Sequence, residues 1–265
     1  MRSPGPAFDL RAAMVREVSG AIEALAAAEA DPKAVHRCRV RMKRARALAR
    51  IGQASAPGLS SVFNDSARTV MALLAHSRDA AALAEAARDA AKHAGKKSAA
   101  ALRTAAAALT AHAQQPDVDV ASASTGLKDL LALAQVWPEA STRQIRKGAM
   151  RLVRRARKGC KDGRGETEIL QRHEWRKREK DRLYAATLVG KGWPTSRRLK
   201  LGEELGDTLG AERDAGLLLL RLKADPSLVG SAKAAQRASK ALRARRKRLA
   251  ANANAIGARL HLGGA

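Results

Sequence analysis

Apolar side chains recur at steps of three and four residues along most of the chain, which is the pattern of amphipathic helices. In the first such segment the apolar positions are Leu10, Met14, Val18, Ile22 and Leu25. Runs of β-branched residues with strict apolar-polar alternation, typical of strands, are absent. The sequence therefore predicts an all-α fold.

Proline, glycine and polar clusters divide this pattern into predicted helices. They cover residues 8–30, 33–51, about 59 to 92, 98–114, 127–136, 138–159, 166–190, 195–223 and 227–261. Asp31 and Pro32 are the predicted N-cap and first residue of the second helix. Segment 116–126, rich in Asp, Ser and Thr, is the predicted linker, and the glycine-rich segment 159–165 is a predicted turn.

The second predicted helix carries a narrow stripe of cations and no acid. At about 100° per residue, five side chains fall within an arc of about 80°. They are His36, Arg39, Lys43, Arg46 and Arg50. Like charges at this spacing repel one another and weaken the helix unless an anion lies against them. The stripe predicts a polyanionic ligand.

The same spacing occurs again in the second half of the chain. His173, Arg176 and Lys180 repeat the 0, +3, +7 positions of the first stripe, and Tyr184 continues that face at +11. An Arg-Asp pair follows each copy, at residues 78–79 and 213–214; we expect both pairs to be structural. The two features have nearly equal offsets, which predicts an internal duplication. We expect a single domain, 1–265, built of repeat 1 (about 8–115) and repeat 2 (about 127–261).

The charge balance supports an anionic partner. The chain has 51 Lys and Arg against 25 Asp and Glu, a formal net charge of +26. Aromatic residues make up only 2%, which disfavours RNA-recognition sheets and single-strand stacking platforms. Two cysteines, Cys38 and Cys160, fit a reducing cytosol. No signal peptide or membrane span is predicted, so we expect a cytoplasmic protein.

Two further helices carry basic stripes. The members of these stripes are Arg143, Lys147, Arg151, Arg154 and Lys158 in one, and Lys233, Lys240, Arg243 and Lys247 in the other. Each stripe alone could be a solvated helix face. Four basic stripes with few acids among them instead favour a shared anion-binding concavity.

The motif Val35-His36-x-x-Arg39-Val40-x-x-Lys43-Arg44-x-Arg46 resembles the signature of the CHAD family, the conserved histidine α-helical domain. The copy at 173–184 is similar to the second repeat of that family, and the resemblance covers roughly residues 8–261. It implies two repeats resembling four-helix bundles, in a pseudo-twofold arrangement around a basic central channel that binds inorganic polyphosphate. A scaffold at the granule surface is a further function compatible with this one, because a polyphosphate-binding protein could be recruited to polyphosphate granules.

The resemblance implies which side chains face that channel. They are His36, Arg39, Lys43, Arg44 and Arg46 from the first copy, and His173, Arg176, Lys180 and Tyr184 from the second. To these we add cations of the basic stripes as candidate polyphosphate contacts: Arg50, Lys147, Arg151, Arg154, Lys240, Arg243 and Lys247. A bound polyanion should hold both histidines protonated, so we expect tighter binding as the pH falls towards 6.

The second copy departs from the family pattern at three positions. Leu183 stands where the family usually has arginine, and Arg182 is displaced by one residue, about 100° around the helix. Asp181 stands where a basic residue is common. We therefore expect weaker anion binding by this helix.

Other functions remain open at this stage. The charge also allows a nucleic-acid-binding protein. An enzyme that processes polyphosphate or triphosphate would need acids that hold Mg²⁺. The sequence has no Glu-x-Glu-x-Lys strand and no Walker A loop, so we predict a binding protein that is not an enzyme, with no metal and no cofactor.

Overall fold

The computed structural model describes residues 8–31, 33–74, 79–111, 119–165 and 169–261, and this part of the chain is all-α, without strands. The prediction of an all-α fold is confirmed. The helices are α1 (Leu10–Ala26), α2 (Ala34–Gly52), α3 (Pro57–Leu73), α4 (Asp79–Lys92), α5 (Lys96–Ala111), α6 (Val120–Gln135), α7 (Thr142–Gly163), α8 (Ile169–Val189), α9 (Leu199–Ala224) and α10 (Ala232–His261). Two short 3-10 helices occupy Gly190–Gly192 and Pro226–Val229.

The long helix predicted over residues 59 to 92 is wrong, because α3 ends at Leu73 and α4 begins at Asp79. The carbonyl of Met71, in the last turn of α3, accepts a hydrogen bond of 2.6 Å from Arg39 Nη1. In a continuing helix that carbonyl would accept from the backbone N–H four residues later. A side chain distant in sequence thus supplies a hydrogen bond to a carbonyl at the helix end. The local sequence pattern does not indicate this contact.

Two segments predicted as irregular are partly helical. Helix α6 begins at Val120, within the predicted linker, because Asp119 caps it by accepting from Ser122 N at 2.8 Å. Residues 112–118, which include the start of that linker, lie outside the described residues. Helix α7 continues to Gly163 through most of the predicted glycine-rich turn. Polar residues that suggest a loop therefore serve here as a cap and as an exposed helix face.

The start of α2 also differs from the prediction. Its N-cap is Lys33, with no side-chain cap. The Asp31 carboxylate instead accepts from the backbone N–H of Lys33 at 2.7 Å and pairs with Arg37. Hydrogen bonds from both residues hold the pKa of Asp31 below its usual value.

The chain forms two compact units. The first comprises Met1–Ala75, Val118–Lys158 and Arg178–Leu199, and the second His76–Asp117, Gly159–Lys177 and Lys200–Ala265. Helices α7 and α8 contribute residues to both units. The compact units therefore draw on alternating stretches of the chain.

The first unit has a core in which α1 packs on α2 and α6, and α3 packs on α2 and α6. Its largest fully buried side chains include Trp137 and Phe63, whose rings meet edge to face at 6.0 Å. Gly52 leaves the space for Trp137, since a Cβ there would lie 2.5 Å from the indole. Cys38 is buried in this core, and burial raises the pKa of its thiol to about 11.

The second unit has two apolar clusters. In the larger one, alanines of α4 and α5 pack against residues of α9 and α10. The smaller one surrounds Trp175, with buried Cys160 beside it. Gly257 lets α10 approach closely, because a Cβ would lie 2.4 Å from the Trp175 ring. No helix in the described part of the chain is long and apolar enough to cross a membrane.

Candidate anion-binding site

The stripe of α2 lies away from the helix's core-facing side. Cys38, Met42 and Ala49 on that side are fully buried. The stripe residues are accessible: His36 is exposed, and the four cations are half-buried, namely Arg39, Lys43, Arg46 and Arg50. The predicted α2 stripe is therefore a partly accessible row of cations on a helix packed into the core of the first unit.

Two arginines of the α2 stripe reach the end of α3. Arg39 donates to the Met71 carbonyl as described, and Arg46 Nη1 lies 3.8 Å from the Met71 sulfur. The carboxyl end of a helix carries partial negative charge, so it holds the Arg39 guanidinium in place. These contacts fix the two side chains before any ligand binds.

The middle of the stripe holds closely spaced, partly buried cations, and both conditions disfavour their charged forms. Burial, and then the charge of Arg50, lower the pKa of Arg46 to about 10. Burial also lowers the pKa of Arg50, and the carboxylate of Asp181, 3.2 Å from Arg50 Nη1, partly opposes that shift. The Arg46 Nε is buried without a hydrogen-bond partner among the described residues. An anion at this place would supply the missing acceptor and charge.

Two further arginines in the first unit belong to this group, and no motif or spacing in the sequence indicates either of them. Arg68 of α3 interacts electrostatically with Arg46 and Arg50, and Arg155 of α7 does so with Arg50. Arg68 also pairs with Asp65. We call Arg46, Arg50, Arg68 and Arg155 the arginine cluster. Their proximity depends on how three helices pack, which no spacing within one helix could indicate.

Two acids beside α2 are held by its arginines. Asp181 binds Arg50, and Glu17 of α1, which is almost fully buried, binds Arg41 at 3.2 Å and Arg44 at 3.0 Å. Arg44 is therefore turned towards α1, away from the α2 stripe, and we leave it out of the proposed site. Among the described residues, no group of three or more His, Cys, Asp or Glu could hold a metal ion.

Helix α8 places two predicted residues, Lys180 and Tyr184, in the first unit, and both are half-buried. Arg182, the displaced arginine, is 3% exposed. Its guanidinium donates to Glu179 at 2.6 and 2.8 Å and to the carbonyl of Arg197 at 2.9 Å. Leu183 is likewise buried. The departures from the family pattern thus have structural roles: Arg182 is part of a buried ion pair, and Leu183 fills the core.

In the second unit, His173 is half-buried with cations around it. Burial, followed by the charges of Arg213, Lys177 and Arg176, lowers its pKa to about 4, and Glu174 opposes this shift weakly. Its Nδ1 is buried and has no hydrogen-bond partner among the described residues. His173 is therefore neutral at pH 6 to 7 in the unliganded protein. The expectation of a protonated histidine holds only if a bound anion raises this pKa.

Arg176 is held beside His173 by α9. Its Nε donates to the Gly206 carbonyl at 3.3 Å, and Gly210 leaves room for the guanidinium, because a Cβ there would lie 3.3 Å from it. Arg213 and Asp214 pair with each other at 3.1 Å. The corresponding pair after the first copy cannot be compared, because Arg78 lies outside the described residues.

The other predicted cations lie on α7 and α10. In the first unit, Lys147 and Arg154 are exposed, and Arg151 hydrogen-bonds to Gln53 just after α2. In the second unit three α10 cations are exposed on the side opposite the core: Lys240, Arg243 and Lys247. The α10 cations remain candidate contacts on the sequence pattern alone. Those of α7 lie on a helix that contacts the residue after α2 through Arg151.

The fold and the two motif helices define an all-α protein with a histidine-arginine-lysine motif on each of two helices. The family model for the CHAD domain matches residues 12–201, so the chain belongs to the CHAD family. The crystal structure of the CHAD domain from the plant Ricinus communis is similar, with a TM-score of 0.67 and 21% sequence identity. The match covers 98% of this chain and 95% of that one. A search of curated proteins found no match.

Proposed function

We propose that the protein binds inorganic polyphosphate, without catalysing a reaction, through the α2 stripe and the arginine cluster in the first unit. The His173 and Arg176 group of the second unit is a separate candidate anion site in this proposal. The two-repeat arrangement, the central channel and the association with granules remain predictions from the sequence analysis.

The arginine cluster is the observation that carries the proposal. The charges that act on Arg46 and Arg50 come from each other, from Arg68 and Arg155, and from two carboxylates, Asp65 and Asp181. Placing like charges together in a partly buried setting lowers the stability of the free protein. A ligand with a negative charge on each phosphate relieves that repulsion and offers acceptors suited to guanidinium donors.

The ligand class follows from what the cations have around them. Polyphosphate has a uniform row of charges and no bases, so it gains nothing from aromatic side chains. The chain has two Phe, three Trp and one Tyr, and two of those tryptophans, Trp137 and Trp175, are fully buried in cores. The described surface therefore offers many cations and few aromatic side chains, Tyr184 being half-buried, which favours polyphosphate over single-stranded nucleic acid.

The absence of catalysis is proposed from the state of the nearby acids. Asp181 is committed to Arg50 and Glu17 to Arg41 and Arg44. Hydrolysis or transfer of a phosphoryl group needs carboxylates that hold Mg²⁺ or orient a nucleophile. Acids committed to guanidinium groups are poorly placed for either task.

Isothermal titration with long-chain polyphosphate, at two salt concentrations and then with excess duplex DNA, tests the proposal. We expect submicromolar affinity that falls steeply with salt, because each contact releases counterions. We also expect the protein to retain polyphosphate against the duplex. Lack of binding, or displacement of polyphosphate by the excess duplex, would instead support a nucleic-acid-binding protein.

A further inference from the structure

Three cations of α7 form a narrow exposed row that the α2 stripe does not include. Arg143, Lys147 and Arg154 are exposed and fall within an arc of about 40°. None of the three has an acidic partner among the residues that the structure describes. From Thr142 to Lys158 the helix contains no acid at all. We call these three residues the α7 row.

Helix α7 crosses the end of α2 at very short range. A Cβ on Gly148 would lie 2.2 Å from the backbone oxygen of Ile51, so only glycine allows this approach. One turn further along α7, Arg151 donates to the side chain of Gln53, just beyond the end of α2. The crossing therefore brings one edge of α7 against the carboxyl end of α2.

The arginine cluster joins the two rows at this crossing. Arg155 of α7 interacts electrostatically with Arg50, the last cation of the α2 stripe. Arg154, in the α7 row, is its neighbour in sequence. The cations thus continue from α2 through Arg50, Arg155 and Arg151 to the exposed row, and all of them belong to the first unit.

We propose that the α7 row extends the polyphosphate site of α2, so that long chains bind both rows and short oligophosphates bind only one. This inference rests on the proposed function. The α2 stripe from His36 to Arg50 spans about 21 Å, and the α7 row from Arg143 to Arg154 is about 16 Å long. A ligand much shorter than the stripe cannot contact the full length of both rows at once.

The physical consequence is a dependence of affinity on chain length. Once one part of a long chain is held at the arginine cluster, the next part meets the α7 row at high effective concentration. This second contact requires little further loss of translational freedom. Long chains therefore gain affinity and a steeper salt dependence, whereas tripolyphosphate gains neither.

The test compares tripolyphosphate with long-chain polyphosphate by isothermal titration on the full chain. The test variant is Arg143→Gln/Lys147→Gln/Arg154→Gln. The matched control is Lys96→Gln/Lys97→Gln/Arg103→Gln, which removes the same charge from exposed positions of α5 in the second unit. Circular dichroism melting establishes that both variants fold.

We expect the α7 variant to bind long chains about tenfold more weakly, with a smaller salt slope, and to bind tripolyphosphate within about twofold of wild type. The α5 control should lose much less affinity for long chains. The proposal that the α7 row extends the site would be overturned if the α7 variant lost equal affinity for both ligands or lost none. An equal loss of long-chain affinity in the α5 control would also overturn it. An α7 variant impaired only for duplex DNA would overturn it too. A wild-type protein that binds neither phosphate would instead contradict the proposed function.

Discussion

His173 combines a half-buried imidazole, a cationic setting and an Nδ1 without a partner among the described residues. Its pKa of about 4 lies below the ordinary value of about 6.5. Between pH 6.5 and 4 the unfolded chain binds a proton there that the folded chain does not. Stability therefore falls as the pH falls through this range.

Between pH 7 and pH 5 we expect the free energy of unfolding of the wild type to fall by about 1 kcal/mol more than that of His173→Gln. This value is reduced for solvent screening. Urea unfolding at the two pH values measures this difference. Identical losses in both proteins would show that His173 titrates normally in the folded state.

A bound polyanion should reverse the shift at His173 by raising its pKa. Binding would then take up a proton wherever the pH lies between the free and the bound pKa, and affinity would rise as the pH falls through the bound value. Titration at pH 6 in two buffers of different ionisation enthalpy counts the protons. We expect less uptake in His173→Gln. Equal uptake in the two proteins would place the polyanion away from this side chain.

Asp181 puts a negative charge at the arginine cluster. Its carboxylate binds Arg50, so a polyanion must compete with it. We expect Asp181→Asn to strengthen long-chain polyphosphate binding by about three- to tenfold, since it removes that competition. Asp129→Asn, an exposed change on α6 with the same charge difference, is the control. Binding equal to or weaker than wild type for Asp181→Asn would argue against a ligand at Arg50.

At the scale of the helices, the crossing of α7 over α2 depends on one glycine. Gly148→Ala would press a methyl group into the backbone of Ile51. We expect the free energy of unfolding, measured with urea, to fall by about 2–3 kcal/mol, because the added methyl group would overlap backbone atoms of Ile51. Gly58→Ala in α3 has nothing within 4 Å of the added carbon and should change stability by less than about 1 kcal/mol. A stable Gly148→Ala protein would mean that the helices can separate at this crossing.

The sequence predicts most of the helices, but it does not always predict where they begin and end. The stripe of α2 follows from spacing alone, since the periodicity of one helix fixes which side chains share a face. The carbonyl of Met71 at the end of α3 accepts from Arg39, which lies 32 residues away in sequence. Asp119 shows the other limit, because aspartate caps helices and also favours loops.

For the whole molecule, the family and the all-α class could be read from the motif copies and the apolar pattern. The contributions of Arg68 and Arg155 could not, because three helices must pack before these side chains approach Arg46 and Arg50. The placement of Arg44 against Glu17 is of the same kind. Sequence spacing describes one helix face, and the site is formed by several.

The central claim is that the α2 stripe and the arginine cluster bind polyphosphate, and the most direct measurement is titration of Lys43→Gln/Arg46→Gln. The control is Lys96→Gln/Lys97→Gln, which removes the same charge from α5. We expect the stripe variant to bind long-chain polyphosphate at least tenfold more weakly than wild type and the control to stay within about threefold. If both variants lose the same affinity, net charge alone attracts the ligand and the stripe is not its site.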